Sequence, residues 1–190
     1  MNKKTKEHIF VLSSPSGGGK STLIQHALSY FPKLTHSVSA TSRHPRENEI
    51  DGEHYLFISE ESFKKKIKEN AFAEWAKVFG NFYGTPIENI KKEFLKGNHL
   101  IMDLDVQGAM QLKKRFPEAT LIFIMPPSID ELKKRLTNRG TESGEDVSKR
   151  LEIAKIEIEQ KNDYDYIVIN EKIEEAVKEL IDIIKRKIVF

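Results

Sequence analysis

The chain has no cysteine, which excludes disulfides and thiolate metal sites and suits a reducing compartment. Long hydrophobic runs are missing too. The run "LIFIM" is about a quarter of the roughly 20 residues that a membrane-crossing helix needs. The early run "IFVL" is too short for the core of a signal peptide. Nor is there an excess of one charge: 31 Lys and Arg face 29 Asp and Glu, for a formal net charge of +2. A dedicated nucleic-acid binder carries a clustered basic excess, so neither nucleic acid nor a membrane is expected as a partner. The expected location is the cytoplasm. His8, His26, His36, His44, His54 and His99 lack metal-ligand spacing, so none is expected to be catalytic.

What is present is an ordinary globular composition, 38% hydrophobic and 32% charged over 190 residues, enough for one domain with inserted parts. The apolar runs "HIFVLSS", "HLIMDLD", "TLIFIMPP" and "YDYIVIN" do not alternate, which suits a parallel sheet covered on both faces. Helical patterns lie between them, beginning over Ser21–Ser29 and Val106–Arg115. Another has its apolar stripe at Ile173, Ala176, Val177, Leu180, Ile181 and Ile184. This alternation predicts an α/β fold with right-handed crossovers. Residues 37–95 break it with shorter, aromatic-rich pieces that suit a small mixed sheet, with Trp75 and Phe82 as its packing. Residues 128–160 read as two helices joined by "NRGTESGED", a mobile surface loop.

The stretch "SSPSGGGKST" is one residue short of the phosphate-loop pattern G-x-x-x-x-G-K-[ST], with Ser14 in place of the first glycine. Ser14 precedes Pro15 and is pushed to an extended conformation, compatible with a strand leading into the turn. Ser16, Gly17, Gly18 and Gly19 would direct backbone N–H groups at an anion. Lys20 would supply a mobile charge, and the Ser21 hydroxyl can coordinate magnesium, with Thr22 following.

In "SVSATSRHPRENEIDGEHY", Arg43, Arg46 and Tyr55 can hold a monophosphate through charge-assisted bonds, or form solvated surface. Glu74, in "AEWAKVFGNFYG", could accept two N–H bonds from a guanine edge or be an ordinary surface residue. Asp103 and Asp105 are two apart in "HLIMDLDVQG" and are expected on one face of a strand, serving magnesium or substrate, or simply solvated. Arg135 and Arg139, four apart, share a helix face, and Arg150 follows the loop.

Together these stretches resemble the guanylate kinase family over essentially the whole chain, with "SPSGGGKST", "SVSATSRHPRENEIDGEHYLF", "EWAKVFGNFYGT", "MDLDVQG", "PPSIDELKKRLTNRGTES" and "IVIN" in family order. The resemblance implies a P-loop three-layer core with a parallel sheet (residues 1–36, 96–127 and 161–190). A small mixed-sheet GMP-binding subdomain (37–95) and a helical lid (128–160) would complete it. It further implies that Arg43, Arg46, Tyr55 and Tyr83 bind the phosphate of GMP. Glu74 and Asp105 would accept hydrogen bonds from guanine, and Ser39 and Thr85 would complete the base pocket. Residues Ser14 to Thr22 and Asn170 would bind ATP, with Asn170 near the adenine. Lys20, Arg135, Arg139 and Arg150 would stabilise the transferring phosphate, and Ser21 and Asp103 would serve Mg2+. Two other readings stand beside this one: a kinase for a different nucleoside monophosphate, and a guanylate-kinase-like module that binds peptides. The sequence leaves monomer and homo-oligomer open.

Overall fold

A computed structural model describes residues 7–78, 80–137 and 144–188. Five parallel strands form the main sheet, in the order β2 (Leu34–His36), β7 (His99–Asp103), β1 (Ile9–Ser13), β8 (Thr120–Met125) and β9 (Tyr166–Ile169). The four apolar runs become β1, β7, β8 and β9. β2, only three residues long, carries too little pattern to be seen in advance. One face of the sheet is closed by α1 (Lys20–Tyr30) and α7 (Ile173–Lys187). Phe10, Leu12, Leu23, Ile122, Val168 and Leu180 pack together there. The other face is closed by α4 (Val106–Arg115) and α3 (Ile87–Leu95), through Val11, Leu100, Phe123, Leu112 and Ile90. Burial on both faces explains why β1, β7 and β8 do not alternate, whereas β9 at the sheet edge leaves Ile167 and Ile169 exposed.

A second sheet of four strands has the order β4 (Tyr55–Phe57), β3 (Ser39–Thr41), β6 (Asn81–Pro86) and β5 (Phe72–Val78). It is mixed: β3 and β4 are parallel, whereas β6 is antiparallel to β3 and β5. Helix α2 (Glu60–Lys68) covers its outer face with Phe63, which stacks on Phe72 and Phe82 with ring centroids 4.3 and 5.4 Å away. Phe82 is thus buried as expected, but Trp75 is 37% exposed. Strand alternation puts it on the face away from Glu74, where its ring still packs on Phe82 with centroids 6.0 Å apart, as expected.

Helices α5 (Ile129–Thr137) and α6 (Gly144–Glu159) close on each other through Leu132, Leu136, Val147 and Ala154. α6 already begins within the stretch expected as a loop. Residues 138–143, which include Arg139 and most of that loop, lie outside the described residues. No helix among the described residues is long and apolar enough to cross a membrane.

Candidate active site

Strand β1 ends at Ser13, and the chain turns through residues 14–19 into α1. Gly18 N–H donates to Pro15 O at 2.9 Å, closing the turn. Gly17 and Gly19 have φ of 88° and 89°, the left-handed region that glycine occupies without strain. Gly19 has a second reason to be glycine, since a Cβ there would collide with the amide of Asn170. Ser14 is tolerated in place of glycine because the space is made at Gly18, where a Cβ would come within 2.9 Å of the Ser14 Cβ. No side chain caps the start of α1, so its first N–H groups remain for an anion.

Lys20 lies across the head of this loop, paired with Asp103 at the end of β7 and donating to Leu104 O at 3.3 Å. Ser21 and Thr22 are exposed on the first turn of α1. Asn170, 5% exposed, donates from Nδ2 to Gly18 O at 2.9 Å, so its amide braces the phosphate loop. Arg135 Nη2 donates to Asn170 O at 3.1 Å and its Nε to Glu131 at 3.3 Å. Arg150 Nη1 reaches Ser16 Oγ at 3.1 Å, which brings α6 against the loop.

Asp105 is not on a strand with Asp103. β7 ends at Asp103, and Asp105 is the N-cap of α4, accepting from Gly108 N–H at 2.7 Å. The two-residue spacing suggested a shared strand face, but helix capping takes the second acid.

Across the cleft, the β5–β6 register sets Glu74 opposite Thr85. Thr85 Oγ1 donates to Glu74 Oε1 at 2.7 Å, and Ser39 Oγ lies 3.4 Å from Thr85 Oγ1. Having spent its one proton on Glu74, Thr85 accepts from Ser39. Glu74 is 5% exposed, and burial pushes its carboxyl up to about 7; the Thr85 hydroxyl opposes the shift and the charge of Asp105 adds to it. A Cβ added at Gly108 would lie 2.9 Å from Glu74 Oε2 and 3.3 Å from Asp105 Oδ1, so both acids meet over this glycine. They line a cavity of about 320 Å³ with Ser39, Tyr55, Tyr83 and Asp103.

Arg43, Tyr55 and Tyr83 also come together. Arg43 Nε donates to Tyr83 Oη at 3.2 Å, and its guanidinium lies 5.5 Å from the centre of the Tyr55 ring. Arg46 is exposed, and its guanidinium forms no hydrogen bond or ion pair with a described residue. Sequence reasoning missed two residues of this wall. Glu49 grips Arg43 with both oxygens at 2.8 Å, and an acid three residues beyond Arg46 was the available signal. Gln111 on α4 accepts from Trp75 N–H at 3.2 Å and donates to Trp75 O at 3.0 Å, and nothing in its exposed, helical surroundings marked it.

A phosphate loop at the head of a parallel sheet, faced across a cleft by a second sheet with its own cations and acids, defines a P-loop phosphate-transferring protein. Comparison with known proteins narrows the class. The Guanylate kinase family model matches residues 6–187. The chain is 47% identical over 172 residues to the guanylate kinase of Desulfitobacterium hafniense, covering 90% of this chain and 86% of that one. It is 48% identical over 179 residues to that of Shewanella violacea, covering 94% and 86%. The crystal structure of guanylate kinase from Anaplasma phagocytophilum superposes with a TM-score of 0.75 at 33% identity, over 98% of this chain and 88% of that one. The chain belongs to the guanylate kinase family and is a kinase, an enzyme of the transferase class.

Proposed function

We propose that the chain transfers the γ-phosphate of ATP reversibly to GMP or dGMP, giving ADP and GDP, as a cytoplasmic enzyme of purine nucleotide metabolism. The observation that carries this reading is the Glu74 carboxyl, buried beside Asp105 and held by Thr85. A guanine edge offers N1–H and a 2-amino group to these two acids. Adenine has neither donor there and would leave buried carboxylates unpaired, a strong ground for rejection.

In this reading Arg43, Arg46, Tyr55 and Tyr83 hold the acceptor phosphate, and Ser39 and Thr85 complete the base pocket. Residues Ser14 to Thr22 cradle the donor's phosphates. Residues 1–36, 96–127 and 161–190 act as the core, 37–95 as the acceptor subdomain and 128–160 as the lid. Lys20, Arg135, Arg139 and Arg150 neutralise charge that spreads over the transferring oxygens. No side chain acts as nucleophile, because a phosphate oxygen of GMP attacks. Asn170 lies near the adenine in this reading and keeps the loop in shape through Gly18.

The donor set fits magnesium. Ser21 on the first turn of α1 and Asp103 at the end of β7 offer hard oxygen atoms. Magnesium is usually held by few protein ligands together with nucleotide phosphates and water. Ser21 and Asp103 would hold it, and when bound it neutralises phosphate charge.

An assay of ATP with GMP, AMP, UMP, CMP and dTMP tests the acceptor, and activity on AMP equal to that on GMP would overturn the guanine assignment. Lys20→Met is expected to lower kcat by roughly 100- to 1000-fold or more with an unchanged far-ultraviolet spectrum. Turnover near wild type would remove Lys20 from the reaction.

A further inference from the structure

We infer that Glu49 is a positioning residue: it locks the Arg43 guanidinium so that Arg43 and the Tyr83 hydroxyl face a phosphate monoester as preset donors. The inference rests on the acceptor reading above and adds a residue to it.

A guanidinium has five N–H groups in a fixed plane. In Arg43, Nε–H goes to Tyr83 Oη at 3.2 Å, and Nη1 serves His44 O at 2.7 Å and Glu49 Oε2 at 2.8 Å. Nη2 serves Glu49 Oε1 at 2.8 Å, which leaves a single N–H, on Nη2, uncommitted among the described residues. The paired bonds to one carboxylate fix the plane of the guanidinium, which a single contact would not do. The rings of Tyr55 and Phe57 stand 5.5 and 5.7 Å from its carbon and keep it from swinging.

The lock also sets a proton. The Tyr83 oxygen receives Arg43 Nε–H, so the hydroxyl of Tyr83 must direct its own proton elsewhere. Tyr83 lines the cavity that also holds Tyr55, so that proton is available to an anion there. Glu49 ties the backbone as well. Its Oε2 accepts Arg46 N–H at 2.8 Å, and its own N–H donates to Arg46 O at 3.0 Å. One carboxylate thereby sets the Arg43 fork, the proton of Tyr83 and the turn that carries Arg46. It also offsets one guanidinium charge, so the cradle relies on Arg46 for net attraction and on neutral donors for shape.

The bonds from Arg43, followed by that from Arg46 N–H, hold the Glu49 carboxyl down at about 2. The pair is therefore ionised throughout the range in which the enzyme would be assayed.

The alternative role for such an acid is that of a competitor, an internal anion in the place of phosphate. The two roles predict opposite outcomes on removal of the charge. Losing an outer partner that orients a metal ligand costs roughly 10- to 100-fold, and a partner that orients a phosphate-binding guanidinium acts in the same way. Glu49→Gln is thus expected to raise KM for GMP about tenfold or more, with kcat and KM for ATP changed far less. Glu49→Asp should recover part of the loss. If Glu49 acts mainly through Arg43, the defects of Glu49→Gln and Arg43→Ala should combine to well short of their sum. An unchanged or lowered KM for GMP in Glu49→Gln would overturn the inference, and so would full additivity with Arg43→Ala. A general structural defect would instead raise KM for both substrates and lower the melting temperature, and that outcome too counts against positioning. Binding of inorganic phosphate to the wild type and Glu49→Gln, followed by titration, separates this inference from the acceptor reading. If the wild type fails to phosphorylate GMP, that reading falls. Weaker phosphate binding in Glu49→Gln would still support the lock, and equal binding would sink it.

Discussion

Glu74 is a carboxyl with 5% exposure, next to a second acid and with no cation among the described residues shifting it back. Its carboxyl titrates at about 7 instead of in the usual range near 4.5. The folded protein therefore holds a proton that the unfolded chain has lost. By linkage, stability is full below about pH 4.5 and falls as pH rises through 7, at a cost on the order of 3 kcal/mol. A guanine edge offers donors, so it prefers the ionised carboxylate, and its binding should expel that proton. KM for GMP is expected to fall as pH is raised from 6 to 8, and Glu74→Gln should flatten that part of the profile. The phosphate of GMP has its own ionisation near pH 6, which the variant retains, so the difference between the two profiles isolates Glu74. Glu74→Gln should also be more stable than wild type at pH 8 while using GMP far less well. A variant with an unchanged pH profile would remove Glu74 from the base pocket. The residue's candidacy was legible from its neighbours in the sequence. Its burial and its bond from Thr85 come from the β5–β6 register, which no local pattern encodes.

Helix α4 connects the two walls of the cleft. Its N-cap is Asp105, and one and a half turns on, Gln111 pairs with both backbone groups of Trp75 at the edge of β5. An edge strand normally leaves such groups unpaired. Here a side-chain amide takes the place of a neighbouring strand, and it fixes the residue next to Glu74 to the helix that begins at Asp105. The dual role of Asp105 can be separated by substitution. Asp105→Asn keeps a good cap, whereas Asp105→Ala loses about 1 kcal/mol of stability. Both should impair GMP use. Thermal unfolding should place Asp105→Asn near wild type and Asp105→Ala clearly below it; equal stability of the two would contradict the capping role. The error over Asp105 has a local cause. Strand and cap are separated by one residue, and "MDLDVQG" satisfies strand alternation as well as it satisfies an N-cap followed by a helix. The three residues of β2 were not legible because they pair with β7 after a connection that no short-range signal announces.

The whole molecule is a cleft with three walls: the core sheet, the mixed sheet and the α5–α6 pair. Ile153 and Ile156 on α6 are 51% and 58% exposed. They face a cavity of about 520 Å³ whose far side carries Ala76 and Val78 of β5. Closing that gap would bury apolar surface and exclude water from the phosphates. ATP and GMP together are expected to reduce the radius of gyration in solution scattering, each alone less so, and an unchanged radius with both bound would count against closure. The continuous apolar runs and the glycine-lysine turn were sufficient, by themselves, to specify a parallel α/β core with a phosphate loop, because burial on both faces and a tight anion-binding turn each demand residue types that follow one another along the chain. Which acids and cations meet was decided only by tertiary structure. Glu74 with Asp105, Arg43 with Tyr83, and Asn170 with Gly18 are joined by strand register and sheet order over separations of 31, 40 and 152 residues. Local composition carries no record of such contacts.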